Sequence, residues 1–341
     1  MPDRDAAAWL LLRERLAALR PAPRQGTPLP PAPAAPAVVV RTAVVTDSAS
    51  ALPADWVHAC AGDGRLTVIP MPVMVGAEIY GEGEDDITET IALALASGTS
   101  VKTSRPSPGQ FEQAFLAAER LGYEGVVSIH ISGSLSGTAD AARLAASRVT
   151  IPVEVLDSGT VGMALGMGVQ AAVASAEAGG AATAVSAAAA EQFARTKVYF
   201  YVPSLEQLRR GGRIGAAASL LGTMFAIKPI LAVDDGKIVP LEKVRSAAKA
   251  VARLEEIAAA DAASRPHGQA RLAVHHFGNP AEAEALAARL SAALPSSPPA
   301  QISSLPAVLA AHAGLGVLAV IVGETSPTVR SPEPELPAVS T

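Results

Sequence analysis

The sequence predicts a two-domain α/β protein, with a parallel sheet in the amino-terminal domain and a mixed α/β carboxy-terminal domain. Three observations predict it. Short β-branched runs alternate with helical patterns from Ala43 to Leu156, the rhythm of a parallel sheet. Three of those strand candidates, ending at Thr46, Ile131 and Leu156, release hydroxyl residues, and an open parallel sheet gathers its strand ends at one edge. The 341 residues are enough for two domains.

Met1–Arg41 stands apart from the rest: Asp5–Arg20 has a helical pattern, and Pro21–Pro36 is Pro/Ala-rich and reads as a semi-rigid linker. The first domain spans 42–160. Ala43–Thr46 is a short buried strand ending at Asp47-Ser48. Thr67–Met74 is a second strand interrupted by Pro70 and Pro72. Asp86-Ile87-Thr88-Glu89 has a capping-box pattern and opens a helix to about Ala96. Thr103–Ser107 is a loop, and Pro108 opens the helix Gly109–Leu121. Val126–Ile131 is the central strand. It runs into a loop of small hydroxyl residues and glycines, Ser132–Thr138, and then an Ala-rich helix. Strand, glycine loop and helix together present backbone N–H groups and a helix dipole to an anion. Val153–Leu156 ends at Asp157-Ser158.

The second domain spans 161–325. Two Ala-rich helices lead to the strand Lys197–Val202 and the short helix Leu205–Ile214, with Gly211-Gly212 as its C-cap. Lys228–Val233 and Lys237–Leu241 flank Asp234-Asp235-Gly236, a hairpin signal. Ala247–Ala263 is helical, Arg271–His276 a strand and Pro280–Leu294 a helix, and the last elements lie in Gln301–Val322. His275 and His276 are adjacent on a strand, so one faces the core and the other the surface. Residues 326–341 form a Pro/Ser-rich tail.

Composition narrows the function classes. Hydrophobic residues make up 50% of the chain and aromatics only 4%, so the core is built from Ala, Val, Leu and Ile. A net charge of −5, with no basic aromatic-rich patch, argues against a nucleic-acid partner. Cys60 is the sole cysteine, which excludes an intrachain disulfide and fits a cytoplasmic location; it reads as core filler. No secretory leader pattern is evident. Ser158–Ala176 and Leu305–Gly323 approach membrane-spanning length. Both are Gly/Ala-rich, and the second holds Pro306 and His312, so both read as buried core elements rather than spans. There is no P-loop, no dinucleotide fingerprint and no histidine pair with metal spacing. Gly133-Ser134-Leu135-Ser136-Gly137 has Leu135 at its centre where a nucleophile elbow needs serine. The pieces point to binding: hydroxyl loops, two isolated arginines beside flexible geometry (Arg213 and Arg245), and His312 in an apolar run flanked by Gly314 and Gly316.

Several motifs then fall in one order. Asp47-Ser48 with Leu52-Pro53 resembles the D-S-x-x-x-L-P opening of the DegV family. Thr103-Ser104-Arg105-Pro106-Ser107 resembles its T-S-Q-P-S loop, and Ser132–Thr138 its S-S-x-L-S-G-T loop. Asp157-Ser158, the L-E-x-L-x-x-G-G-R-I run at Leu205–Ile214, Ile227–Leu231 and Lys243-Val244-Arg245 come next, and His312–Gly316 resembles the final H-x-G-P-G. The resemblance covers about Thr42 to Gly323. It departs at three places: Gly133 stands where the family has serine, Arg105 where it has glutamine and Leu315 where it has proline.

The resemblance implies a DegV-like fold with a long-chain fatty acid bound between the two domains. It also implies a carrier with no catalysis of its own and no cofactor. The bound carboxylate would be phosphorylated by a separate fatty acid kinase related to dihydroxyacetone kinases, for use in phospholipid metabolism, with an acyltransferase as a further candidate partner. Carried over, the carboxylate-binding residues are Thr103, with Ser104 beside it, and His312, together with Ser132, Ser134 or a backbone amide in place of the serine hydroxyl that Gly133 lacks. Asp47, Ser48, Gly133, Ser136, Gly137 and Thr138 support them, and Arg213 and Arg245 meet a phosphate or the kinase. The physics agrees. Each buried CH₂ contributes about 0.8 kcal/mol, and a buried carboxylate requires hydrogen-bond donors. Two other readings are an acyl-directed serine hydrolase, for which only His130 or His312 could serve as base, and a lipid-sensing scaffold that recruits a partner through Met1–Pro36.

Overall fold

A computed structural model describes residues 40–81, 87–223 and 227–325. The expected amino-terminal helix, the Pro-rich linker, Asp86 and the tail after Thr325 lie outside the described residues. The chain divides into a unit ending at Val38 and a second, beginning at Val39, that holds every described element.

Strand β1, Thr42–Asp47, is buried along its whole length. Ala43 and Val45 point to one core and Val44 to another, as a central parallel strand covered on both faces requires. Helix α1 (Ala54–Ala61) leads to β2 (Leu66–Ile69), which runs parallel to β1. The expected strand Thr67–Met74 is in fact two. Pro70 has no N–H for a ladder, and the Met71 N–H is taken by Ser48 Oγ at 3.1 Å. The chain then leaves the sheet. β3 (Pro72–Val75) joins β4 (Glu78–Gly81) and, after helix α2 (Thr88–Ser97), β5 (Val101–Thr103) in a separate antiparallel sheet ordered β4-β3-β5. Helix α2 starts at Thr88 with Ile87 in the N-cap position and no side-chain cap bond.

Helix α3 (Pro108–Arg120) is opened by Pro108 and by a capping box between Ser107 and Gln110. β6 (Gly125–His130), α4 (Thr138–Ala146) and β7 (Val153–Asp157) complete a four-stranded parallel sheet, β2-β1-β6-β7. Helices α3 and α4 cover one face through Phe111, Phe115 and Ala142. Helix α5 (Met163–Glu177) packs on both β1 and the far sheet; from Met163 to Val173 every residue is buried. This is the first stretch of near-spanning length, and here it is a core helix. Among the described residues no helix is long and apolar enough to cross a membrane.

After α6 (Ala182–Ala194), six strands form a mixed sheet ordered β10-β9-β8-β13-β11-β12: β8 Lys197–Tyr201, β9 Lys228–Asp234, β10 Lys237–Val244, β11 Ala270–His276, β12 Gln301–Ser304 and β13 Leu318–Glu324. Helix α7 (Glu206–Arg210) is shorter than Leu205–Ile214, and Gly211 holds its C-cap. In the β9–β10 turn, Asp235 (φ 46°) and Gly236 (φ 74°) are both left-handed, as a type I′ hairpin demands. The two faces separate by the strand period. Tyr199, Tyr201, Leu272, Val274, Leu318, Val320 and Val322 pack under α8 (Ala247–Ala263) and α9 (Pro280–Ala293). Val198, Phe200, Leu231, Val233, Ala273, Ala319 and Ile321 face the other way, toward α5 and the core it shares with the parallel sheet. The second apolar stretch, Leu305–Gly323, splits into α10 (Ala307–Ala313) and β13, joined through Gly314 and Gly316 at positive φ.

Candidate functional site

That second face is not filled by side chains. Between it, α10 and the loops at the parallel strand ends lies a cavity of about 330 Å³, within the range of small-molecule sites. Most of its wall is apolar, including Val198, Phe200, Val233, Ile321, Leu305 and Val308. Its polar groups among the described residues are Thr103, Ser104, Arg105, Ser136, Arg213, His275 and His312, with no Asp or Glu among them.

Thr103 ends β5, paired with Val73, and His312 lies in the last turn of α10. Residues 209 apart in sequence thus meet: Thr103 Oγ1 and His312 Nε2 are hydrogen-bonded at 2.8 Å. Burial, with the Arg213 guanidinium adding to it, pushes His312 down to about 4, so the ring is neutral at pH 7 and carries one N–H. Its Nδ1 is buried without a partner among the described residues. Burying a bare N–H there costs more than burying a bare lone pair, which favours the tautomer with the proton on Nε2. His312 then donates to Thr103, and the Thr103 hydroxyl proton is left for a ligand. Gly211 makes room for the ring: a Cβ at that position would lie 2.1 Å from His312 Nδ1.

Arg213 Nε donates to the Leu135 carbonyl at 3.0 Å, and its Nη1 donates to the Gly211 carbonyl. The guanidinium is thereby fixed on the cavity wall. Arg245 is exposed just past the end of β10 and does not line the cavity. Ser104 lines the rim and donates its hydroxyl to the Arg105 carbonyl. Ser136 also lines it, bonded to Thr138 Oγ1 at 2.8 Å.

Ser132 and Ser134 are placed otherwise than the carried-over assignment expects. Ser132 Oγ donates to the Gly236 carbonyl at 2.7 Å and accepts the Ser134 N–H, and neither serine lines the cavity. Ser132 instead ties the parallel-sheet loop to the hairpin of the mixed sheet, with its hydroxyl proton already used. Gly133 donates its N–H to Asp157 Oδ1, and a Cβ there would sit 2.4 Å from Asp157 Oδ2. A side chain at 133 would therefore meet Asp157.

Asp47 holds the strand ends together. Its carboxylate accepts the N–H groups of Ala49 and Ile131 and the Nδ1 of His130. His130 Nε2 is in turn 2.7 Å from Ser128 Oγ. The arrangement has the residue types and order of a hydrolytic triad. All three residues are 0% exposed, the ring packs edge-on to Phe111, and none of the three lines the cavity. The relay ties β1 to β6 inside the core, away from the cavity. His275 has a comparable task. Its Nε2 accepts the Met163 N–H at the start of α5 at 2.9 Å, so the neutral ring carries its proton on Nδ1 and donates it to Ser303; burial pushes it down to about 4. His276 is the partly exposed neighbour. Cys60 is half-buried off the site, and burial, then the Glu177 carboxylate, pushes its thiol up. Among the described residues no group of His, Cys, Asp and Glu could hold a metal.

The sequence did not single out Arg105 as a site residue, nor which apolar residues of the second domain line the cavity. The signal for Arg105 was its replacement of a neutral family residue in the Thr103 loop.

Comparison with known proteins agrees with this architecture. A DegV domain-containing protein of Streptomyces coelicolor is 45% identical over 280 residues, 82% of this chain and 97% of that one. A DegV domain-containing protein of Mycobacterium tuberculosis is 36% identical over 280 residues, 82% and 96% of the two chains. Among solved structures, a fatty-acid-binding DegV family protein from Thermus thermophilus matches with a TM-score of 0.77 and 32% identity, covering 84% of this chain and all of its own. DegV of Bacillus subtilis, described as a fatty acid binding protein, matches with a TM-score of 0.75 and 29% identity over 84% of this chain and all of its own. The family model described as "Uncharacterised protein, DegV family" matches residues 41–325. The chain belongs to the DegV family.

Proposed function

We propose that this protein binds one long-chain fatty acid in the cavity and presents its carboxylate to a separate ATP-dependent kinase. The observation that carries the reading is an apolar cavity with the hydrogen-bonded Thr103–His312 pair among its few polar groups. Supporting it, the similar proteins from Thermus thermophilus and Bacillus subtilis are described as fatty-acid-binding. Each CH₂ moved from water into the apolar wall contributes about 0.8 kcal/mol, roughly fourfold in affinity. The head group cannot follow the tail into an apolar site unpaired. Thr103 donates to one carboxylate oxygen, and Arg213, held on the same wall, supplies the compensating charge.

The other carboxylate oxygen faces the mouth, where the kinase delivers the phosphoryl group, and the exposed Arg245 offers that partner a cationic contact. The protein itself acts as the carrier. Organic extraction of purified protein followed by mass spectrometry tests the first half: a long-chain fatty acid near one per chain is expected. Recovery of none, with no uptake of added labelled fatty acid, refutes it. Acyl phosphate formed only when kinase, ATP and loaded protein are combined tests the second half.

A further inference from the structure

The cavity mouth carries more positive charge than a carboxylate uses. Arg213 is anchored on the Leu135 carbonyl by Nε. Arg105, from the loop after β5, also lines the cavity. It lies against Gly137, where a Cβ would come within 2.5 Å of its Nη1. Leu135 and Gly137 are two residues apart, at most about 7 Å along the chain, with Ser136 between them. Two guanidinium groups from distant parts of the sequence thus converge on one three-residue stretch. The Arg105 guanidinium is exposed and has no hydrogen bond or ion pair to any other described residue. Among the described residues, no carboxylate lines the cavity to offset either cation. Nearby Asp140 is paired with Arg143 at 2.8 Å, and Gly137 is also the N-cap of α4, a position that favours anions over cations.

We propose that Arg105 and Arg213 form a clamp across Leu135–Gly137 for a dianionic phosphoryl head group, so that the chain holds a phosphorylated acyl lipid more tightly than the free fatty acid. The inference rests on the proposed function and extends it to the product. The planar fork of arginine presents paired N–H groups to phosphate oxygens. A carboxylate hydrogen-bonded to Thr103 lies at the inner edge of the clamp, and a phosphoryl group added to its outer oxygen lies inside it. Glutamine at position 105, the residue the family pattern carries, would lack the charge.

The test measures dissociation constants of hexadecanoate and hexadecylphosphonate, a stable stand-in for the phosphorylated head group, by competition with a fluorescent fatty acid on delipidated full-length protein. The wild type is compared with Arg105→Gln and Arg105→Lys. The wild type is expected to prefer the phosphonate by about tenfold or more, the worth of a charge-assisted contact. Arg105→Gln should lose that preference while its hexadecanoate affinity holds, and Arg105→Lys should retain part of it. Equal weakening of both ligands would place Arg105 in the carboxylate site and overturn the clamp, as would no change in either. Binding of inorganic phosphate by the lipid-free wild type, with no preference for the phosphonate, would assign the cations to free phosphate and overturn it too. Failure of the wild type to bind hexadecanoate at all is a different result and refutes the proposed function itself.

Discussion

Thr103→Val tests the head-group assignment most sharply. Valine nearly matches threonine in shape, so the cavity wall keeps its form while one hydroxyl disappears. That hydroxyl is hydrogen-bonded to His312 at 2.8 Å and, in the proposed bound state, would donate to the carboxylate. A hydrogen bond to a charged group contributes about 1.5–3 kcal/mol. At 1.4 kcal/mol per decade, the dissociation constant for hexadecanoate should rise about 10- to 150-fold. Isothermal titration of delipidated protein reads this directly. Thr103→Ser, which keeps the hydroxyl, should retain most of the affinity. The pair also predicts non-additivity: Thr103→Val and His312→Ala break the same bond, so the double variant should lose less than the sum of the singles. Unchanged affinity in Thr103→Val would show that the carboxylate lies elsewhere. Additive losses would show that threonine and histidine act separately.

Four further outcomes are expected. Gly211→Ala puts a methyl 2.1 Å from His312 Nδ1 and should weaken fatty-acid binding although alanine favours the helix; full binding would mean the ring need not sit where it does. Gly133→Ser, which restores the family residue, meets Asp157 and should lower the melting temperature without tightening binding; tighter binding would return a carboxylate role to that position. His275 and His312 are both pushed down to about 4 in the folded chain from an ordinary 6.5, so between those values the unfolded chain binds more protons. Their stabilisation is complete above pH 6.5 and is lost as pH falls toward 4, at up to about 1.4 kcal/mol per pH unit for each ring. Urea midpoints between pH 7 and 4.5 check this, and a flat profile in which His275→Gln and His312→Gln match the wild type would contradict it. Arg213→Ala and Arg245→Ala should slow acyl-phosphate formation by a cognate kinase, and Arg245→Ala should do so with fatty-acid affinity intact; normal turnover in both would remove them from the reaction.

Much of the fold was legible because the signals were local. The β-branched runs, Pro108 at the head of a helix and the Asp-Asp-Gly turn each have a mechanism confined to a few residues, and each element formed. The strand Thr67–Met74 failed where a non-local event decided it. Pro70 interrupted the ladder as expected, but the departure into another sheet is fixed by Ser48 capturing the Met71 N–H, 23 residues away in sequence. The same limit governs the site. Thr103 and His312 could be nominated singly, through resemblance, but their contact spans 209 positions. Ser132 was nominated for its chemistry, and only the β9–β10 hairpin, packed against it from 104 residues away, reveals that its proton is taken. Arg105 was noticed as a departure and not as a ligand, because a charge gains meaning only from the charges around it.

In the proposed head-group site, the neutral histidine and the two arginines would divide the work. A protonated His312 would supply charge there, but burial and the Arg213 guanidinium both work against the proton. The cation therefore resides on Arg213, whose position is fixed by the Leu135 and Gly211 carbonyls. Binding would then depend little on the protonation of His312 above pH 6.5, because the ring contributes only through its hydrogen bond to Thr103. On the proposed reading the arrangement also separates two tasks. Uncharged donors would orient the carboxylate beside the apolar wall, where charge is costly. Fixed positive charge toward the mouth would meet the negative charge that a phosphoryl group brings. On that reading, a site that only stored fatty acid would need the first, and Arg105 beside Gly137, with no acid among the described residues of the wall, would serve the second.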